Sequence, residues 1–307
     1  MTAEGEVDVD GTSCYECCAS CGIAEIDDVK LVPCDGCDLV RYCGDECKGD
    51  HKSEHKEACK KRASELRDEL LFKQPESTHH GDCPICFLPI PLDRRKYSIY
   101  TCCSKLICDG CVHANEKRAA ERRLQHACPF CRKPTPTTDE EIYKRRMKRV
   151  EANDPFAICQ KGAEEAKQGN HRGAFEYWTK ASELGHALAQ YGLSVLYRRG
   201  DGVEKDIGKE IHHLEEAAIG GHPDARHNLG VLESKNGNIE RAVKHWIIAA
   251  TQGGDESMKV LMKMFKDGFV SKEDLAATLR AHKAAVDATK SPQRKKAEEY
   301  YKYKYGN

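Results

Sequence analysis

Seventeen of the eighteen cysteines in this chain lie before Arg132, and most stand in Cys-x2-Cys pairs. The pairs are Cys18/Cys21, Cys34/Cys37, Cys83/Cys86, Cys108/Cys111 and Cys128/Cys131. Two intervening residues let a short turn aim both thiolates at one ion, and tetrahedral zinc takes sulfur and nitrogen donors in that arrangement. A disulfide framework of the same count would need an oxidising compartment. Residues 1–10 are acidic and contain no apolar run of the signal-peptide kind. The sequence therefore reads as intracellular, in cytoplasm, nucleus or both, and stapled by zinc.

Composition sets the outer bounds. At 307 residues, two or three domains are expected. Aromatic residues make up 7%, too few for the N-terminal third to build a large apolar core, so metal must take over part of that task. Charged residues make up 32%, yet the net charge is -1. No overall field draws the chain to nucleic acid, which is not expected as a partner. No apolar run approaches the roughly 20 residues that cross a bilayer, so no membrane role is expected.

The first cluster reads Cys18-x2-Cys21-x12-Cys34-x2-Cys37-x5-Cys43-x3-Cys47-x7-His55-x3-Cys59. The i, i+4 steps Cys43/Cys47 and His55/Cys59 would each share one helix face. Eight donors suit two zinc ions. Their order, the Tyr42-Cys43 step, Gly22 directly after Cys21 and the closing His-x3-Cys resemble the MYND zinc finger. The two sites of that family interleave. The resemblance implies one ion on Cys18, Cys21, Cys43 and Cys47, and another on Cys34, Cys37, His55 and Cys59. Cys14 and Cys17 form a rival pair, and His51 rivals His55. MYND fingers bind short proline-containing peptides, but the Gln and Trp of that groove correspond here to Lys48 and Lys52. Lys48, Lys52, Lys56 and Lys60 read as one i, i+4 basic stripe, ordinarily a solvated helix face.

The second cluster reads Cys83-x2-Cys86-x15-Cys102-Cys103-x4-Cys108-x2-Cys111-x16-Cys128-x2-Cys131. This resembles a RING domain, with Lys105 where the usual RING histidine stands. Protonated lysine has no lone pair to give a metal. The paired Cys102-Cys103, the Cys83-Pro-Ile-Cys86 and the Cys128-Pro-Phe-Cys131-Arg-Lys-Pro runs are similar to the all-cysteine RING of the Not-type ubiquitin ligase subunit. The resemblance implies one ion on Cys83, Cys86, Cys108 and Cys111. A second would sit on Cys103, Cys128, Cys131 and Cys102. The expected cofactor is thus four zinc ions. A RING forms no covalent intermediate; it holds a conjugating enzyme and its ubiquitin thioester in a reactive pose. The resemblance places conjugating-enzyme contacts at Ile85, Pro129 and Arg132. Arg132 would serve as a linchpin cation, since a planar guanidinium offers several fixed donors. The plainer reading is that Ile85 and Pro129 only pack the knuckles.

Beyond Asp154 cysteine nearly vanishes and a repeat emerges. Leu184-Gly-His186-Ala is echoed by Gly220-Gly-His222-Pro and again by Gly253-Gly254-Asp255, with Asp154-Pro-Phe-Ala157 in the same phase. The steps are 32, 36 and 33 residues, and a period in this range marks a solenoid of helical hairpins. The Tyr197–Asp206 loop resembles that of Sel-one-like repeats, relatives of tetratricopeptide repeats. Helix pairs are expected at 156–168 with 171–185, 187–198 with 207–220, 224–236 with 238–252, and 256–266 with 271–287. Tyr177, Trp178, Tyr191, Tyr197 and Trp246 read as inter-helix core, and Cys159 as a small core residue. Thr138 with Glu141 forms a capping-box pattern before a basic helix.

The expected fold is multidomain: two small zinc-stabilised modules, MYND and RING-like, followed by an all-α helical-hairpin repeat solenoid. The expected boundaries are a disordered acidic N-terminus 1–13, MYND finger 14–59, helical linker 60–80, RING-type finger 81–134, helical linker 135–153, repeats 154–290, and a frayed charged tail 291–307. The combined reading is a RING-type ubiquitin ligase or ligase adaptor. The repeats and MYND finger would recruit protein partners and the RING a ubiquitin-conjugating enzyme. The alternative is a non-catalytic zinc scaffold for multiprotein assembly. Metallohydrolase chemistry is disfavoured because thiolate or imidazole fills every inferred position, leaving none for water.

Overall fold

The computed structural model describes residues 17–26 and 28–306; the acidic N-terminus and Cys14 lie outside them. The chain divides into two compact units, Met1–Lys73 and Gln74–Asn307.

In the first unit, β1 (Val32–Pro33) and β2 (Arg41–Tyr42) pair antiparallel, with Val32 opposite Tyr42. Cys18, Leu31 and Tyr42 form a minimal core, against which Cys34, Val40, Cys43 and Cys47 pack. Two helices follow, α1 (Asp45–Asp50) and α2 (Lys52–Leu71), meeting at His51. That break takes Lys48 off the helix carrying Lys52, Lys56 and Lys60, so the expected basic stripe does not run along one helix. Lys48 instead pairs with Asp35, and Lys60 with Glu57 at 3.4 Å. The expected linker helix from residue 60 is the continuation of α2 itself. Arg62 on α2 grips Asp38 through two bonds, 2.7 and 2.9 Å, and Glu69 through a third at 3.0 Å. A bidentate guanidinium–carboxylate pair is the strongest geometry available to a surface ion pair. It holds α2 to the turn after Cys37.

The second unit begins with the other cysteine module. Strands β3 (Tyr97–Tyr100) and β4 (Lys105–Cys108) pair antiparallel, Tyr97 opposite Cys108, and feed α3 (Asp109–Glu121). Cys83, Ile90, Tyr97, Ile107, Cys108, Cys111 and Val112 form its core. Helix α4 (Asp139–Glu151) starts at Thr138, whose hydroxyl accepts from Glu141 N at 3.2 Å, the expected cap.

Eight helices then pack pairwise. They are α5 (Pro155–Lys167) with α6 (His171–Glu183), α7 (Ala187–Arg199) with α8 (Ile207–Ile219), α9 (Pro223–Lys235) with α10 (Ile239–Thr251), and α11 (Asp255–Lys266) with α12 (Lys272–Ala288). Alanine and glycine let the axes approach: Ala174, Ala181, Ala217, Ala218, Ala249 and Ala250 are fully buried. Trp178 donates to Cys159 O at 3.1 Å, and Trp246 to His227 O at 3.3 Å. The two indoles thus fill equivalent places two repeats apart.

The cysteine module of this unit is seated on the solenoid. His79 N donates to Gly221 O at 3.0 Å, and Gln252 Nε2 to Ser77 O at 3.4 Å. Gly221 has φ +79° and meets Ser77 O 2.6 Å from where a Cβ would stand. Only glycine satisfies both that backbone and that approach. The tail is not frayed. Residues Pro292–Tyr305 form α13, which packs on α3. Among the described residues no helix is long and apolar enough to cross a membrane.

Candidate metal centres

Four donor sets converge. They are Cys18, Cys21, Cys43 and Cys47; Cys34, Cys37, His55 and Cys59; Cys83, Cys86, Cys108 and Cys111; and Cys102, Cys103, Cys128 and Cys131. Within each set the ligand atoms lie within 4.8 Å of one another. These are the groupings the two resemblances imply, including Cys102 as the partner of Cys103.

Local structure brings them together. In the first unit, the turn ending with Gly22 N on Cys18 O places Cys18 beside Cys21, and the i, i+4 step places Cys43 near Cys47. The β1–β2 turn aims Cys34 and Cys37 at α2, where His55 and Cys59 stand one turn apart. In the second unit, Phe87 N and Arg132 N close the Cys83 and Cys128 knuckles on the carbonyls of those cysteines, at 2.8 and 3.0 Å. Cys108 ends β4 and Cys111 lies in the first turn of α3.

Sulfur separations test the fit to zinc. At a Zn–S bond of about 2.3 Å, the edge of a tetrahedron is about 3.8 Å. The observed Sγ–Sγ distances are 3.6 Å for Cys21–Cys43 and Cys43–Cys47, 3.7 Å for Cys34–Cys59 and Cys86–Cys108, and 3.8 Å for Cys103–Cys128. Cys102–Cys131 is tighter at 3.3 Å, as is Cys37 Sγ to His55 Nε2 at 3.1 Å. Disulfide sulfurs would stand near 2.05 Å. The hydrogen bond with Cys83 and burial raise the Cys108 thiol above its ordinary range, and burial raises Cys111, so ionising the whole set needs a compensating charge. Four adjacent thiols do not ionise together without a cation among them.

The rivals fall outside the sets. Cys17 belongs to none of them. His51 hydrogen-bonds Tyr42 OH at 3.1 Å through Nδ1 and stacks on His55 with ring centroids 5.7 Å apart. It stands beside the His55 ligand and outside the donor set.

The residues expected to touch a conjugating enzyme differ in exposure. Ile85 is 37% exposed, and Phe87, after the knuckle, 76%. Pro129 is buried, which suits knuckle packing; its neighbour Phe130 is the exposed residue of that turn, at 44%. Arg132 is exposed and donates to Asn115 Oδ1 at 3.2 Å. Asn115 in turn donates to Ala127 O at 2.9 Å, linking α3 to the last knuckle. Ligand spacing does not single out Asn115, Phe87 or Phe130, because none is a ligand. Lys105, in place of the RING histidine, is exposed with its ammonium 6.0 Å from the Phe130 ring centroid.

A MYND finger matches residues 18–59, and Sel1 repeats match 157–186, 187–222 and 223–254. DAP3-binding cell death enhancer 1 of Mus musculus is 24% identical over 175 residues, 44% of this chain and 34% of that protein. Its counterpart in Rattus norvegicus is 22% identical over 171 residues, 43% of this chain and 34% of that protein. Large ribosomal subunit protein uL16m of Schizosaccharomyces pombe is 33% identical over 89 residues, 27% of this chain and 37% of that protein. The chain therefore spans only 34% to 37% of the length of these curated relatives. Among solved structures, a Sel1 repeat protein from Oxalobacter formigenes aligns with TM-score 0.42 and 22% identity, over 60% of this chain and 58% of that one. A protective antigen of uropathogenic Escherichia coli aligns with TM-score 0.38 and 21% identity, over 54% and 37%. The chain carries a zinc-binding MYND finger at residues 18–59 and Sel1 repeats from residue 157 to 254, with the second cysteine module between them.

Proposed function

We propose that this protein assembles protein partners and that its second cysteine module engages a ubiquitin-conjugating enzyme, acting as a ligase or a ligase adaptor. The observation that carries the reading is the exposed apolar and cationic surface around its knuckles. Ile85, Phe87 and Phe130 are exposed beside zinc-fixed turns, and Arg132 extends from the last ligand onto Asn115. Large exposed apolar side chains on rigid turns suit a protein contact. A guanidinium tied at only one bond keeps further donors for a partner.

The Sel1 repeats and the MYND finger supply the partner-binding part. Stacked helical hairpins present extended surfaces to other chains, and the last hairpin exposes Met262, Phe265 and Phe269. DAP3 is the partner supplied by the name of a relative, and it is the first protein to test against residues 154–288.

Autoubiquitination with a panel of conjugating enzymes tests the catalytic part. Chain formation dependent on Ile85 supports it. A protein inert with every enzyme, yet retaining partner binding, would leave the zinc scaffold as the function.

A further inference from the structure

The last helix reaches back across the sequence to the third donor set. On α13, Arg294, Ala297 and Tyr301 share one face at helical spacing. Ala297 is fully buried, and Tyr301 OH donates to Glu116 on α3 at 3.1 Å. The first turn, capped by Ser291, contacts the metal-binding loop directly. Arg294 Nη1 donates to Pro89 O and to Thr289 O, both at 2.7 Å, and Nη2 to Leu88 O at 3.1 Å. Nη2 also stands 3.4 Å from Cys86 Sγ. Beside it, Gln293 Nε2 donates to Gly110 O at 2.9 Å and lies 3.8 Å from Cys111 Sγ. A Cβ on Gly110 would stand 2.8 Å from Arg294 Cγ and 3.0 Å from its backbone nitrogen, so α3 has no side chain where α13 lands.

A metal centre of four thiolates around Zn²⁺ carries a net charge of about -2. It therefore gains from an outer cation and from N–H donors that draw charge off sulfur. Carbonyls of Leu88, Pro89 and Thr289 hold the Arg294 guanidinium in place, so it is presented to Cys86 without freedom to swing away. Neither Arg294 nor Gln293 lies near the module in sequence. Both reach a sulfur of this donor set.

We propose that the C-terminal helix is a working part of the third zinc centre: Arg294 and Gln293 shield the Cys86 and Cys111 thiolates, and retention of that ion depends on α13 being docked. The inference rests on the reading of Cys83, Cys86, Cys108 and Cys111 as a zinc site. Linkage makes the dependence mutual, so loss of that ion also loosens α13.

The test uses the full chain, Arg294→Met, Arg294→Lys, Gln293→Ala and a chain ending at Lys290. Zinc release to a chromogenic chelator gives rate and count. Pulsed alkylation with peptide mass spectrometry identifies the cysteines that become reactive. The expected result is one ion of four leaving about 10–100-fold faster in Arg294→Met and in the shortened chain, the size seen when an outer partner of a metal ligand is removed. Alkylation should appear at Cys83, Cys86, Cys108 and Cys111 while the other three sets stay protected. Arg294→Lys, which keeps the charge but not the fork, should fall between. Should Arg294→Met lose its fold, Gln293→Ala decides, because its exposed side chain is dispensable to packing; it should release the same ion several-fold faster. Four ions leaving all folded variants at the wild-type rate would reduce α13 to a packing element. A wild-type chain whose Cys83 set is alkylated from the outset would instead remove the zinc assignment itself.

Discussion

The imidazole of His79 stacks on that of His222, with centroids 4.0 Å apart and planes 13° from parallel, and His222 stacks in turn on Tyr191 at 4.4 Å. This column joins the segment leading into the second cysteine module to the Sel1 repeats. Burial, with His80 and His186 nearby, lowers His222 to about 3, and burial with facing imidazoles lowers His79 further.

A pH dependence follows from those depressed values. Both rings are neutral in the fold, whereas in the unfolded chain they take up protons below about pH 6.5. The unfolded state then binds more protons, so stability falls as pH falls below about 6.5 and is insensitive to these groups above it. The loss is up to about 1.4 kcal/mol per pH unit for each ring. Replacing His222 with Phe keeps a stacking surface and should flatten the pH 6.5–5 stability slope by about one proton. Denaturant titrations across that range check it; an unchanged slope would show that His222 is not held neutral.

Zinc content is expected to be four ions per folded chain, because four complete donor sets converge. Elemental analysis returning two would remove one whole module. A strong chelator should unfold residues 18–59, since binding contributes on the order of 10 kcal/mol per structural site. The helices from α5 to α12 should keep their far-ultraviolet signal, because alanine, leucine and tryptophan packing sustains them. Hydrogen exchange resolves the two responses.

Trp246 is 4% exposed and bonded to His227 O, at the centre of the α9–α10 pair. Trp246→Ala should destabilise the solenoid by about 3–5 kcal/mol, the usual cost of deleting a buried large aromatic. Exposed Leu279, on α12, should tolerate Ala within about 0.5 kcal/mol. Thermal unfolding followed by circular dichroism would separate the two; equal losses would contradict the assignment of Trp246 to the core.

What the sequence made legible follows from the kind of force at work. Ligand spacing fixed by zinc coordination survives in the order of Cys18 to Cys59 and Cys83 to Cys131, so the sixteen donors stand out before any fold is known, while their grouping into four sets is what the two family resemblances imply. The internal repeat likewise marks out α5 to α12, whose ends fall within a residue or two of expectation. The tail reads as frayed from sequence because its docking is polar. Arg294, Gln293 and Tyr301 are held by carbonyls, a thiolate and a carboxylate, and such bonds leave no periodic trace. Proline in the last knuckle suggested a surface contact, yet Pro129 is buried, because the turn that needs proline also folds it inward. Seating of the second cysteine module on the repeats is equally hidden: it runs through His79 and Gln252, unremarkable in their own segments, and Gly221, which the sequence marks only as part of the repeat.

The final prediction separates grip from activation at the second cysteine module. Arg132 follows the ligand Cys131, so its backbone is set by the knuckle while its guanidinium rests on Asn115. In the proposed ligase, Arg132→Ala should leave zinc content and conjugating-enzyme affinity near wild type. It should slow ubiquitin discharge about ten-fold or more, since charge-assisted bonds contribute roughly 1.5–3 kcal/mol each and 1.4 kcal/mol is a factor of ten in rate. Asn115→Ala should produce a milder version of the same defect, because Arg132 then keeps its charge but loses its anchor. Ile85→Ala removes apolar contact rather than charge, so enzyme affinity itself should fall. Single-turnover discharge together with a binding titration distinguishes the outcomes. Discharge untouched by Arg132→Ala but sensitive to Ile85→Ala would keep the docking face and discard the linchpin. Indifference to both would place any conjugating-enzyme contact elsewhere on the chain.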